Sequence, residues 1–78
     1  MKVGTVTGAV WATRKADSLQ GQTFLVVKTA DGEVVAADRV GAGSGDRVLV
    51  MLGSAARCYF DNAPVDAAVV AIVDAKKE

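Results

Sequence analysis

The sequence predicts an all-β fold, a small closed or nearly closed barrel of five short strands. Three observations carry that prediction. Short runs rich in Val and Thr recur along the 78 residues. Turn residues, an Asp-Gly pair and one dense glycine cluster, separate the runs. A helical period competes with the strand reading only near the C-terminus. The chain is short enough to be one domain spanning residues 1–78.

Lys2 to Thr13 reads as a long first strand, with Gly4 and Gly8 on one face and Val3, Thr5, Thr7, Ala9 and Trp11 on the other. Glycines inside a strand mark bends, so the strand is expected to bend at both. Lys15 to Gly21, with Asp17, Ser18 and Gly21, forms a loop. Thr23 to Lys28 is a continuous, largely β-branched run and makes the second strand. Asp31-Gly32 then supplies the positive φ angles of a tight hairpin turn, which pairs this strand antiparallel with Val34 to Asp38.

The glycine-dense segment Gly41, Ala42, Gly43, Ser44, Gly45, Asp46 leads to a fourth strand, Val48 to Leu52. Gly53 ends it, and Ser54 is placed to cap a single helical turn through Ala55, Ala56 and Arg57. A polar loop with Asp61 and Asn62 precedes Pro64. In the last element, Val65, Ala68, Val69, Ile72 and Val73 also share one helical face. Four β-branched residues, Val69, Val70, Ile72 and Val73 around Ala71, favour a fifth strand within Val65 to Asp74. Lys76, Lys77 and Glu78 read as a frayed tail. Five strands with one short helical turn between the fourth and fifth define an OB-like Greek-key barrel.

Composition narrows the function. Nine basic residues cancel nine acidic ones, which leaves no electrostatic footprint for nucleic acid or an anionic membrane. With no His and one Cys, the chain has no imidazole base and no His or Cys metal cluster, so neither cofactor nor metal is expected. A lone thiol forms no internal disulfide, and the cytoplasm is the expected compartment. Val3 to Ala12 after Lys2 imitates a signal peptide. Gly4, Thr5, Thr7 and Gly8 interrupt it, Arg14 and Lys15 follow it, and it is read as part of the fold. No run approaches the roughly 20 apolar residues of a membrane span.

The apolar share is 51%, and Ala and Val supply 14 residues each. Such side chains fill little volume. A domain of this size buries only about 60% of its unfolded surface, so part of the apolar surface is expected to meet a partner chain.

The glycine cluster imitates a phosphate-binding loop. Such loops need a Lys and a Ser or Thr opening a helix, whereas Asp46 and a strand follow here, so the segment reads as a close-approach turn. Ser54 and Cys58 are nucleophiles without a base, and Cys58 is read as incidental. Asp38, Asp46, Asp61, Asp66 and Asp74 read as solvated turn residues. An OB-like barrel also raises single-strand nucleic-acid binding as an alternative function. Its stacking set is limited to Trp11, Phe24, Tyr59 and Phe60, with Arg14 and Lys15 as the basic pair.

Four motifs in order resemble the EutN/CcmL family, the pentameric vertex proteins of bacterial microcompartment shells. Gly8, Val10, Ala12, Thr13 and Lys15, with Leu19 and Gly21, are similar to the family's opening strand and loop. Asp38, Val40, Gly41-Ala42-Gly43, Gly45, Asp46, Val48 and Leu49 are similar to its glycine-rich motif. Gly53-Ser54-Ala55-Ala56-Arg57 and Pro64 to Asp74 are similar to its two closing motifs. The resemblance covers nearly the whole chain.

The resemblance implies a homopentamer in the bacterial cytoplasm, set among hexameric shell proteins at the corners of a carboxysome or metabolosome, with no catalysis. It implies that Gly41 to Asp46 lie near the fivefold axis. It also implies that Ser54, Ala55, Ala56, Arg57, Pro64, Val65 and Asp66 build subunit contacts. The chain departs from the pattern in its short Asp31-Gly32 hairpin, in Ala71 where Gly is common, and in Trp11 where a smaller residue is usual. Cys58-Tyr59-Phe60 replaces a polar loop, and Tyr59 and Phe60 are expected to be exposed and to touch a neighbouring subunit or tile.

Overall fold

The computed structural model describes residues 1–60 and 64–74. The expected loop at Asp61 and Asn62 and the expected frayed tail at Lys76, Lys77 and Glu78 lie outside the described residues. Among the described residues five strands form: β1 (Lys2–Val10), β2 (Phe24–Thr29), β3 (Gly32–Asp38), β4 (Arg47–Leu52) and β5 (Ala67–Ile72). Two 3₁₀ segments join them, η1 (Asp17–Leu19) and η2 (Gly53–Tyr59). The strands close into a barrel in the order β1-β2-β3-β5-β4, with β4 returning to β1. The five-stranded OB-like barrel read from the sequence is the observed fold. Every neighbouring pair is antiparallel except β3 and β5, which run parallel over two register pairs, Ala37 with Ala68 and Asp38 with Val69.

Several boundaries differ from the sequence reading. β1 ends at Val10, short of Thr13. Its pairing with β2 slips between Val6 and Gly8, which leaves Thr7 as a bulge. Gly4 is no bend. A Cβ there would lie 2.6 Å from both the Lys28 carbonyl oxygen and Val27 Cγ1, so β2 packs where only a glycine fits. The hairpin loop is Ala30-Asp31, one residue earlier than expected, and Gly32 opens β3 at φ 120°. Thr29 explains the shift: its hydroxyl donates to the Gly32 carbonyl at 2.8 Å and accepts from the Asp31 N–H at 3.1 Å.

η1 falls inside the segment expected to be loop only. η2 is longer than one turn, its N-cap position is Leu52, and no side chain caps it. The expected cap by Ser54 is therefore corrected; Gly53, at φ 73°, turns the chain directly from β4 into the 3₁₀ segment. The C-terminal element is a strand because β4 pairs with it along Val48 to Leu52, with a register slip, while β3 pairs with its start.

Small side chains fill the barrel. Val6, Leu25, Val27, Ala36, Val48, Val50, Ala67 and Val69 form its buried interior. A second cluster lies at the β3/β5 seam, where Ala37 and Ala68 meet Ala56, Phe60 and Val65. Two alanines at the seam leave room for the Phe60 ring of the segment that follows η2. Burial of a large apolar side chain contributes roughly 1.5–3 kcal/mol, so Phe60 fastens η2 to the barrel wall.

Candidate functional site

The Gly41 to Asp46 loop joins β3 to β4 and is held by two carboxylates. Asp38, the last residue of β3, accepts through Oδ1 from the N–H groups of Val40 at 3.0 Å and Gly41 at 3.2 Å. Its Oδ2 accepts from the Ala42 N–H at 3.1 Å. Asp46 Oδ2 accepts from the Gly43 N–H at 2.9 Å. The loop also docks on β1: Gly45 donates to the Val6 carbonyl at 2.8 Å, and Val6 donates to the Asp46 carbonyl at 2.9 Å. Amides that would cradle a phosphate are thus taken up by the chain's own anions. Asp38 and Asp46 serve as internal loop anchors, beyond the plain solvated role read from sequence.

The loop's glycines differ in what they need. Gly41 and Gly45 sit at φ 78° and 92°, a region that favours glycine. Gly43 has no positive φ, and a Cβ there would meet nothing within 4 Å among the described residues. Among the described residues, then, nothing requires its small size. Gly41, Gly43, Ser44 and Gly45 are exposed, while Ala42 and Asp46 are half-buried.

The second set of site residues stands at the opposite end of β4. Ser54, Ala55 and Arg57 of η2 are exposed, and Ala56 is buried in the seam cluster. Pro64 and Asp66 are exposed and Val65 is buried. The Gly53 N–H donates to the Asp66 carbonyl at 2.8 Å and ties the two segments together. The structure therefore joins Ser54 to Arg57 with Pro64 to Asp66, and separates both from the glycine loop by the length of β4.

Tyr59 is 39% exposed, but Phe60 is only 6% exposed and belongs to the seam cluster. The expectation that both are exposed contact residues is corrected for Phe60, whose ring faces inward because Ala37 and Ala68 open a site for it. The Arg39 guanidinium carbon lies 5.5 Å from the Phe60 ring centroid. Cys58 is exposed. Among the described residues no group of three or more Asp, Glu or Cys side chains is arranged to hold a metal, and no helix is long and apolar enough to cross a membrane.

The sequence predicts surplus apolar surface without locating it, and the structure places part of it on the outside of β1, β2 and β3. Val10 pairs with Phe24, and Val26 pairs with Val35. Val35 is 51% exposed and Trp11, just past β1, is 89% exposed. Leu19, Phe24 and Val35 floor a groove that runs between Lys15 and the Pro64 to Ala67 segment. The signal was present as unbroken apolar runs where a half-buried strand would alternate. Of the aromatics, Phe60 is buried and so offers no face for stacking, and the Lys15 ammonium lies 5.8 Å from the Phe24 ring centroid.

Comparison with known proteins agrees with this architecture. The family model described as "Ethanolamine utilisation protein EutN/carboxysome" matches residues 1–74. The chain is 49% identical to the carboxysome shell vertex protein CcmL of Thermosynechococcus vestitus, over 95% of this chain and 84% of that protein. It is 46% identical to the bacterial microcompartment shell vertex protein PduN of Salmonella typhimurium, over 95% of this chain and 96% of that protein. Among solved structures, the GrpN pentameric microcompartment shell protein from Rhodospirillum rubrum superposes with a TM-score of 0.88 at 40% identity, covering 100% of this chain and 99% of that one.

Proposed function

The chain belongs to the EutN/CcmL family, and from that membership we propose that five copies close into a ring that caps a vertex of a bacterial microcompartment shell in the cytoplasm. The observation that carries the reading is the full-length match, in fold and sequence, to a pentameric shell protein. Flat hexagonal tiling closes into a polyhedron only with fivefold insertions, so the role asks for a ring-forming interface and no reactive group. The chain is accordingly a structural protein without catalysis, and its partners are further copies of itself and hexameric shell proteins.

The separation of the two candidate segments by β4 supports giving them different contacts. Ser54 to Arg57 and Pro64 to Asp66 serve contacts between subunits. The Gly41 to Asp46 loop is turned toward the fivefold axis, a placement supported by its hydrogen bonds to Asp38, Asp46 and Val6 and by Gly43, whose small size suits a second chain close by. Tyr59 is left as the exposed aromatic on η2 for a neighbour. No observation favours the nucleic-acid alternative.

Light scattering with native mass spectrometry tests the ring, with a mass of five chains expected. A stable monomer or dimer at working concentration overturns it. Co-expression with hexameric shell proteins should then give closed shells, and omission of this chain should leave shells open at their corners.

A further inference from the structure

We propose that the outside of β1 carries a binding site for a small dianionic oxyanion of the phosphate class, held by Lys28, Thr5 and Arg47. The three residues stand in one register row across adjacent strands: Lys28 of β2 pairs with Thr5 of β1, and Thr5 pairs with Arg47 of β4. One barrel suffices, so the site stands whether or not five copies close into a ring.

All three side chains lie outside the barrel. Their chain neighbours Gly4, Val6, Val27, Thr29 and Val48 are buried, and alternation along a strand puts Thr5, Lys28 and Arg47 on the opposite face. Lys28 and Arg47 are exposed, and Thr5 is half-buried between them. Neighbouring strands lie about 4.8 Å apart, so the two cationic side chains start roughly 10 Å apart, within reach of one anion set over the Thr5 hydroxyl.

These groups are not spent within the chain. Among the described residues the ion pair is Lys2 with Asp31, and no carboxylate oxygen lies within 4.0 Å of the Lys28 ammonium or the Arg47 guanidinium. Glu33 pairs with Lys28 from β3, and Asp74 follows Val73, whose N–H donates to the Arg47 carbonyl at 2.7 Å. Neither acid closes on a cation. Of the threonine hydroxyls lining the same groove, Thr7 donates to the Val26 carbonyl at 3.4 Å and Thr29 to the Gly32 carbonyl at 2.8 Å. The Thr5 hydroxyl makes no such bond among the described residues and is free to donate. The glycine-rich loop is the opposite case, because Asp38 and Asp46 already occupy its amides.

The donor set fixes the class of ligand. A guanidinium offers paired N–H groups to two oxygens of one oxyanion, and an ammonium adds a compact charge. Two positive charges attract a dianion more strongly than a monoanion, which favours phosphate over acetate.

Titration of the isotope-labelled full chain with inorganic phosphate, at a pH above its second ionisation, tests the site by NMR. Sodium acetate and sodium chloride at matched ionic strength are the controls. Phosphate should shift the amides of Thr5, Lys28 and Arg47 together along one saturable curve, and the controls should shift them less. Arg47→Gln and Lys28→Gln should keep the parent's melting temperature, because both side chains are exposed, and each should weaken phosphate binding about tenfold, as loss of a charged hydrogen-bond partner implies. Glu33→Gln should tighten it by removing the competing anion. A phosphate curve that does not saturate, equal shifts with chloride, or unchanged affinity in both Lys28→Gln and Arg47→Gln overturns the site.

Discussion

Asp46 and Gly43 hold each other twice: the Gly43 N–H donates to Asp46 Oδ2 at 2.9 Å, and the Asp46 N–H donates to the Gly43 carbonyl at 3.0 Å. The arrangement closes the glycine-rich loop on itself one residue before β4. Asp46→Ala removes the charged acceptor and should cost about 1–2 kcal/mol, the range of a hydrogen bond to an ionised group less the solvation its partner regains. The Gly43 amide should exchange faster in the variant while β4 amides stay protected. Unchanged Gly43 exchange would count against the anchor.

Gly4 and Gly43 should respond in opposite ways to the same change. Gly4→Ala drives a methyl into the Lys28 carbonyl and Val27, and a cost of about 1–3 kcal/mol is expected from overpacking. Gly43→Ala has open space and an ordinary φ, so the thermal stability of the isolated chain should be within about 0.5 kcal/mol of the parent. If five loops crowd one axis, Gly43→Ala should still weaken the ring, measured as a rise in the concentration at which pentamers dissociate.

Neighbouring aromatics on η2 and its end divide the same way. Phe60→Ala empties the site between Ala37 and Ala68 and should lower stability by about 3–5 kcal/mol in chemical denaturation. Tyr59→Ala should change it by less than about 1 kcal/mol and act on assembly instead. Equal effects of the two on folding would contradict the inward placement of Phe60.

The Lys2 ammonium lies 2.7 Å from Asp31 Oδ2 at the hairpin. Its hydrogen bond, and then its charge, hold the Asp31 carboxyl below its ordinary 3.8. A depressed acid contributes stability that is present above its unfolded value and is lost as pH falls through the folded one. The contribution should be small and salt-sensitive, because the pair faces water. An NMR titration should show the Asp31 midpoint rising in Lys2→Met and, in the parent, rising with added salt.

Much of the strand content was legible because β-branched runs and turn residues are local signals. The predicted strands Val34 to Asp38 and Val48 to Leu52 match β3 and β4 to within two residues at their starts and coincide at their ends. The hairpin loop falls one residue earlier than the Asp-Gly pair predicts, since the Thr29 hydroxyl, and not that pair alone, decides its place. The four family motifs are likewise readable from residue order; the glycine-rich segment ends at Asp46, directly before β4 as the sequence predicts, while the connection itself begins earlier, at Arg39.

By itself the sequence determined the strand count, the absence of imidazole chemistry and the family, because each depends on residue type and order. Tertiary structure decided which side of each strand is covered. Period-two alternation defines two faces without saying which one meets the core, and the bulge at Thr7 reverses the phase midway along β1. It also decided that Phe60 turns inward, because that depends on Ala37 and Ala68 meeting across a parallel seam between residues 31 apart. The carboxylates of Asp38 and Asp46 became anchors for the same reason: a loop's amides find their partners only once the strands on both sides are in place.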